Sequence, residues 1–83
     1  MKNEAKGDQI GRVLKIYSKL SDGYVVNKAE EAELYGINEW SIQRDIDHIR
    51  DFFDEEVERT GIVNTIVYDR IKRGYRLETI YQI

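Results

Sequence analysis

Residues 35–46 read Tyr35-Gly36-Ile37-Asn38-Glu39-Trp40-Ser41-Ile42-Gln43-Arg44-Asp45-Ile46, a stretch in which one helix ends and another begins. Glycine accepts the left-handed backbone that ends a helix, and asparagine two residues later caps the next one. Between Leu34 and Asn38 there is room only for a tight turn, so the flanking helices must cross steeply. The earlier helix is short, Lys28 to Tyr35, with Asn27 as its cap. The pair reads as a helix-turn-helix.

The second of these helices shows its two faces when its residues are placed at about 100° per residue. Ile42, Ile46, Ile49 and Phe53 share one side, which predicts a core face. Trp40, Arg44, Asp47 and Asp51 point the other way, with Gln43 and His48 on the flanks. Asp45 falls at the edge of the apolar side, a place for a buttress. The pattern continues through the acidic residues 54–58 and is expected to stop near Gly61.

Outward from this centre the chain falls into two further parts. Before it, Ile10, Val13, Leu14, Ile16, Tyr17 and Leu20 recur at helical spacing after Asp8 as N-cap, and Ser21-Asp22-Gly23 supplies the stop. Tyr24-Val25-Val26 follows as a short β segment. After it, Thr65-Ile66-Val67-Tyr68-Asp69 and Gly74-Tyr75-Arg76-Leu77 read as two strands, with Ile66 and Tyr68 on the same face as Tyr75 and Leu77. Arg70-Ile71-Lys72-Arg73 makes a basic hairpin tip, and residues 24–26 are expected to add a third strand. The expected fold class is mostly α with a small β-sheet (α+β), a three-helix winged helix-turn-helix with a β-hairpin wing. Residues 1–7 are expected to be a disordered lead-in and residues 8–83 the single domain.

Composition narrows the chemistry. A chain of 83 residues buries only about 60% of its unfolded surface, too little for a large enclosed active site. It has no cysteine and one histidine, His48, so neither disulfides nor the usual zinc sites are available. No Ser-His-Asp arrangement, phosphate-cradling glycine loop or metal-ligand spacing is visible, so no enzyme activity, cofactor or metal is expected. Apolar runs are no longer than three residues, against the roughly 20 of a membrane span, and a cytoplasmic location is expected. The formal net charge is minus 3, unusual for a nucleic-acid binder. Its distribution matters more than its sum: acid gathers between Glu30 and Glu58, whereas Arg70, Lys72, Arg73 and Arg76 cluster in the hairpin. Such polarity suits a protein that meets phosphate on one side only.

Taken together, residues 10–77 resemble the N-terminal DeoR-type winged helix of WYL-domain transcription regulators. The resemblance is carried by Tyr35-Gly36-Ile37-Asn38, by Ser41-Ile42-Gln43-Arg44-Asp45-Ile46, and by Ile66-Val67-Tyr68-Asp69 leading to Gly74-Tyr75-Arg76-Leu77. It implies DNA contact by Ser41 and Arg44, and a homodimer formed through a C-terminal effector domain beyond this stretch. One departure is Glu31, where the family usually has a core leucine. Its charge is expected to reach solvent or a basic partner, with Leu34 filling the gap in the core.

The expected partner is double-stranded DNA and the role is transcription regulation. Asn38, Trp40, Ser41, Gln43, Arg44 and Asp47 form the expected reading face in the major groove. Arg70, Lys72 and Arg73 form the expected backbone contact of the wing. The alternative is a winged helix used as a protein-interaction module, with Trp40 as the anchor.

Overall fold

The computed structural model describes residues 8–81; the expected lead-in, residues 1–7, lies outside that range. Among the described residues, three helices precede a two-stranded antiparallel sheet: α1 (Gln9–Ser21), α2 (Lys28–Tyr35), α3 (Glu39–Thr60), β1 (Ile62–Asp69) and β2 (Gly74–Tyr81). This is the α+β winged-helix arrangement read from the sequence.

Each helix starts on the side chain expected of it. Asp8 accepts from the Ile10 amide at 3.1 Å, Asn27 from Glu30 at 2.9 Å and Asn38 from Ser41 at 2.9 Å. Such caps are worth about 1 kcal/mol each. The turn between α2 and α3 is set by Gly36, whose φ of 69° is left-handed. The Gly36 amide bonds the Glu33 carbonyl and the Ile37 amide bonds the Ala32 carbonyl, which together make a Schellman ending. Ile37 then packs against the core, so the turn is anchored by an apolar contact as well as by hydrogen bonds.

The core is one cluster. Ile42, Ile46, Ile49 and Phe53 of α3 meet Ile16 and Leu20 of α1, Ala32 and Tyr35 of α2, Val26 and Ile66. Full burial of each large apolar side chain contributes about 1.5 to 3 kcal/mol. The strands run three to four residues further than the alternation suggested, in the register Ile66↔Leu77 and Tyr68↔Tyr75. Residues 24–26 do not form a third strand. Only Val26 pairs, through two 2.7 Å hydrogen bonds with Tyr75. Gly74 permits that approach, because a Cβ there would stand 2.5 Å from Val25 Cγ1 and 2.8 Å from the Val26 carbonyl oxygen.

Two charged pairs are built into this core. Arg12 donates to both Asp45 oxygens, at 2.5 and 3.1 Å, and the Asp45 carboxylate is fully buried. The hydrogen bond to Asp45 raises the Arg12 pKa against the opposing effect of burial. Asp45 is thus a buttress between α1 and α3, as its angular position suggested. Glu31 is buried and paired with Lys19 at 2.6 Å, while its Oε1 atom has no hydrogen-bond partner among the described residues. Leu34 does not compensate for it: at 60% exposure it faces solvent, and the next residue, Tyr35, turns inward instead. The α1 stripe is also wider than the core. Ile10 and Leu14 remain exposed, and Tyr17 packs edge to face on Phe52 at 6.1 Å along an open seam between α1 and α3.

Candidate nucleic-acid interface

The exposed side of α3 begins with Trp40 and Arg44, one turn apart. Trp40 is 65% exposed. The Arg44 guanidinium lies over its ring at 5.0 Å, a cation–π contact that holds a cation and an aromatic plane together at the surface. Ser41 is half-buried and lines a small polar cleft with Gln9, Arg12 and Arg44. Asn38 is exposed, but its side-chain oxygen is already committed to capping α3.

Gln43 and Asp47 belong to a chain of polar contacts. Lys28 of α2 donates to Gln43 Oε1 at 2.9 Å, and Gln43 Nε2 donates to Asp47 Oδ1 at 3.0 Å. The chemistry fixes the amide orientation, since an ammonium only donates and a carboxylate only accepts. Asp47 also receives Arg50 at 3.4 Å, so its charge is partly compensated before any ligand arrives. Gln43 is therefore held in place and half-buried, in keeping with its position on the flank of α3.

The hairpin brings the second set of residues. Arg70, Ile71, Lys72 and Arg73 form the turn between the strands and all four are exposed. Asp69 organises this turn. Its Oδ1 accepts from the Ile71 amide at 3.0 Å and the Lys72 amide at 2.9 Å, while Oδ2 accepts from Arg76 Nε at 3.1 Å. The Lys72 amide bond is the chief cause of a lowered Asp69 pKa, with Arg76 and the Ile71 amide adding to it. Arg73 takes a left-handed φ of 60°, and its carbonyl accepts from Asn27 Nδ2 at 2.8 Å. The tip is thus pinned at both ends.

Lys28 joins the two sets. Its ammonium bonds Gln43 on α3 and lies 5.8 Å from the centre of the Tyr75 ring on β2. Around it, Asn27, Glu39, Tyr68, Arg73 and Tyr75 line one shallow cleft, so the start of α3 and the base of the wing lie side by side. Neither Lys28 nor Arg50, which donates to the Ile66 carbonyl at 3.0 Å, was singled out by the sequence reading. The one local signal for Lys28 is its place directly after the Asn27 cap, which sets a cation at the α2 N-terminus. In the opposite sense, Arg76 leaves the basic set, because it is paired with both Asp69 and Glu78.

These features give a surface with a cation–π pair, a fixed amide, three exposed cations on a rigid hairpin and a lysine between them. Comparison of the chain with protein-family models, with curated proteins and with solved structures finds no match.

Proposed function

We propose that this chain is the DNA-reading domain of a bacterial-type transcription regulator, with the N-terminal half of α3 in the major groove of double-stranded DNA and the wing on the adjacent backbone. The observation that carries this reading is that Lys28 joins Gln43 of α3 to the base of the cationic hairpin, while α3 also carries the exposed Trp40–Arg44 pair. Arginine matches a guanine edge or a phosphate, and glutamine matches an adenine edge. Arg70, Lys72 and Arg73 match phosphates and carry no sequence information by themselves. The resemblance to the DeoR-type domain of WYL-domain regulators supports the same assignment. It further proposes a homodimer through an effector domain outside this stretch.

The acidic residues along α3, with Glu39 and Asp51 exposed beside the reading face, repel phosphate at long range, so affinity in one copy is modest. A salt titration on random-sequence duplex tests the reading. Three phosphate contacts, from Arg70, Lys72 and Arg73, predict a slope of log K against log salt of roughly minus 3. Between 50 and 200 mM salt that corresponds to a loss of roughly fortyfold. An affinity that is indifferent to salt contradicts DNA binding and favours the use of exposed Trp40 as a protein anchor.

A further inference from the structure

Ile71 is the most exposed large apolar side chain described, at 92%. Nothing in the fold uses it. It sits between Arg70 and Lys72 at the outermost turn of the hairpin, so any apolar partner that approaches it must also accept dense positive charge. An ordinary apolar protein surface does not meet that condition. A DNA groove does: its walls are phosphates, and between the polar base edges of its floor lie the apolar faces of the stacked bases.

The turn is also built to keep this side chain in place. Asp69 holds the Ile71 and Lys72 amides, Arg76 holds Asp69, and Asn27 holds the Arg73 carbonyl. Contact with phosphates alone makes a smaller demand on such bracing, because long cationic side chains can reach oxygens all along the backbone. A tip that must push one side chain between bases requires it, because a flexible loop would fold away under the load. Branched apolar side chains act in this way in proteins that enter the minor groove, where they part a base step and kink the duplex.

We propose that Ile71 is a wedge that enters the minor groove beside the site read by α3, with Arg70, Lys72 and Arg73 on the flanking phosphates. The inference rests on the DNA-binding reading above and adds a specificity element to it. Pyrimidine–purine steps such as TA unstack most readily, so the wing favours a flexible step at a fixed distance from the bases read by α3.

The test uses the chain with a duplex of alternating T and A that carries 2-aminopurine, whose fluorescence rises when its stack opens. Wild type is expected to bind and to raise the signal, as is Ile71→Leu, which keeps an apolar branch. Ile71→Ser is expected to lose the rise and about tenfold in affinity on this duplex while keeping its salt slope, since no cation is removed. The residue is exposed, so the substitution leaves folding intact, which the circular dichroism melt verifies. Binding by wild type without a fluorescence rise, or an equal rise from Ile71→Ser, overturns the wedge and leaves DNA binding intact. Failure of wild type to bind any duplex at low salt, or binding to phosphatidylserine vesicles in its place, overturns both.

Discussion

Asp45→Ala should be among the most destabilising single substitutions in this chain, although it removes a polar side chain from a helix. The reason is what it leaves behind. Arg12 is only 6% exposed and gives two hydrogen bonds to Asp45, so loss of the carboxylate strands a guanidinium inside the α1–α3 contact. Breaking a buried pair from one side costs about 3 to 5 kcal/mol, a large part of the total stability of a small domain. At the lower bound, with about 4 °C per kcal/mol for a domain of this size, the melting temperature falls by roughly 12 °C. The control is Arg12→Met with Asp45→Leu, which removes both charges while filling the space. Buried ion pairs are often replaced in this way at no net cost, so the double variant should melt near wild type. Thermal and urea unfolding by circular dichroism measure both. If Asp45→Ala melts within 3 °C of wild type, the pair is not sealed from water as described. If the double variant is as unstable as the single one, the loss comes from packing and not from an orphaned charge.

Other expected outcomes follow from the same kind of accounting. Glu31→Leu should raise stability by about 1 kcal/mol, because it removes a buried carboxylate oxygen with no partner and frees Lys19 to solvent; a lower melting temperature would count against this. Gly74→Ala should cost about 1 to 3 kcal/mol, since the new methyl would strike Val25 and the Val26 carbonyl; protection of the Val26 and Tyr75 amides in hydrogen exchange should fall with it. The Asp69 carboxylate titrates below its ordinary value of 3.8, so its contribution is present above that pH and disappears as pH falls through the lowered value. Amide shifts of Ile71 and Lys72 followed by NMR should show this as a shared midpoint below 3.8, and a midpoint at or above it would contradict the bracing of the tip.

Much of the fold was legible because it is written in local pattern. The caps at Asp8, Asn27 and Asn38, the glycine after Tyr35 and the apolar face of α3 are short-range signals, and each appears where the spacing put it. What escaped the sequence depends on partners distant in the chain. Arg12 occupies the core stripe of α1, one turn before Ile16, and nothing nearby reveals that its carboxylate lies 33 residues on. Leu34 and Tyr35 are neighbours with similar apolar character, and it is the tyrosine that turns inward. Residues 24–26 have strand character but meet β2 only where Gly74 lets the backbones approach, so a single bridge forms. The candidate site followed the same rule. Trp40 and Arg44 face outward as periodicity requires, whereas Gln43 is held by Lys28, a residue of a different helix.

The division of roles between α3 on the base edges and the wing on the backbone can be resolved by one comparison. Duplexes selected from a random pool by the wild-type chain, and scrambled versions of them, are titrated across a salt series with wild type, Arg44→Ala and Lys72→Ala. Arg44→Ala should lose about 1 to 3 kcal/mol on the selected duplex and much less on the scrambled one. Lys72→Ala should weaken both alike and reduce the salt slope by about one. If Arg44→Ala binds the selected duplex as tightly as wild type does, α3 is not the reading helix.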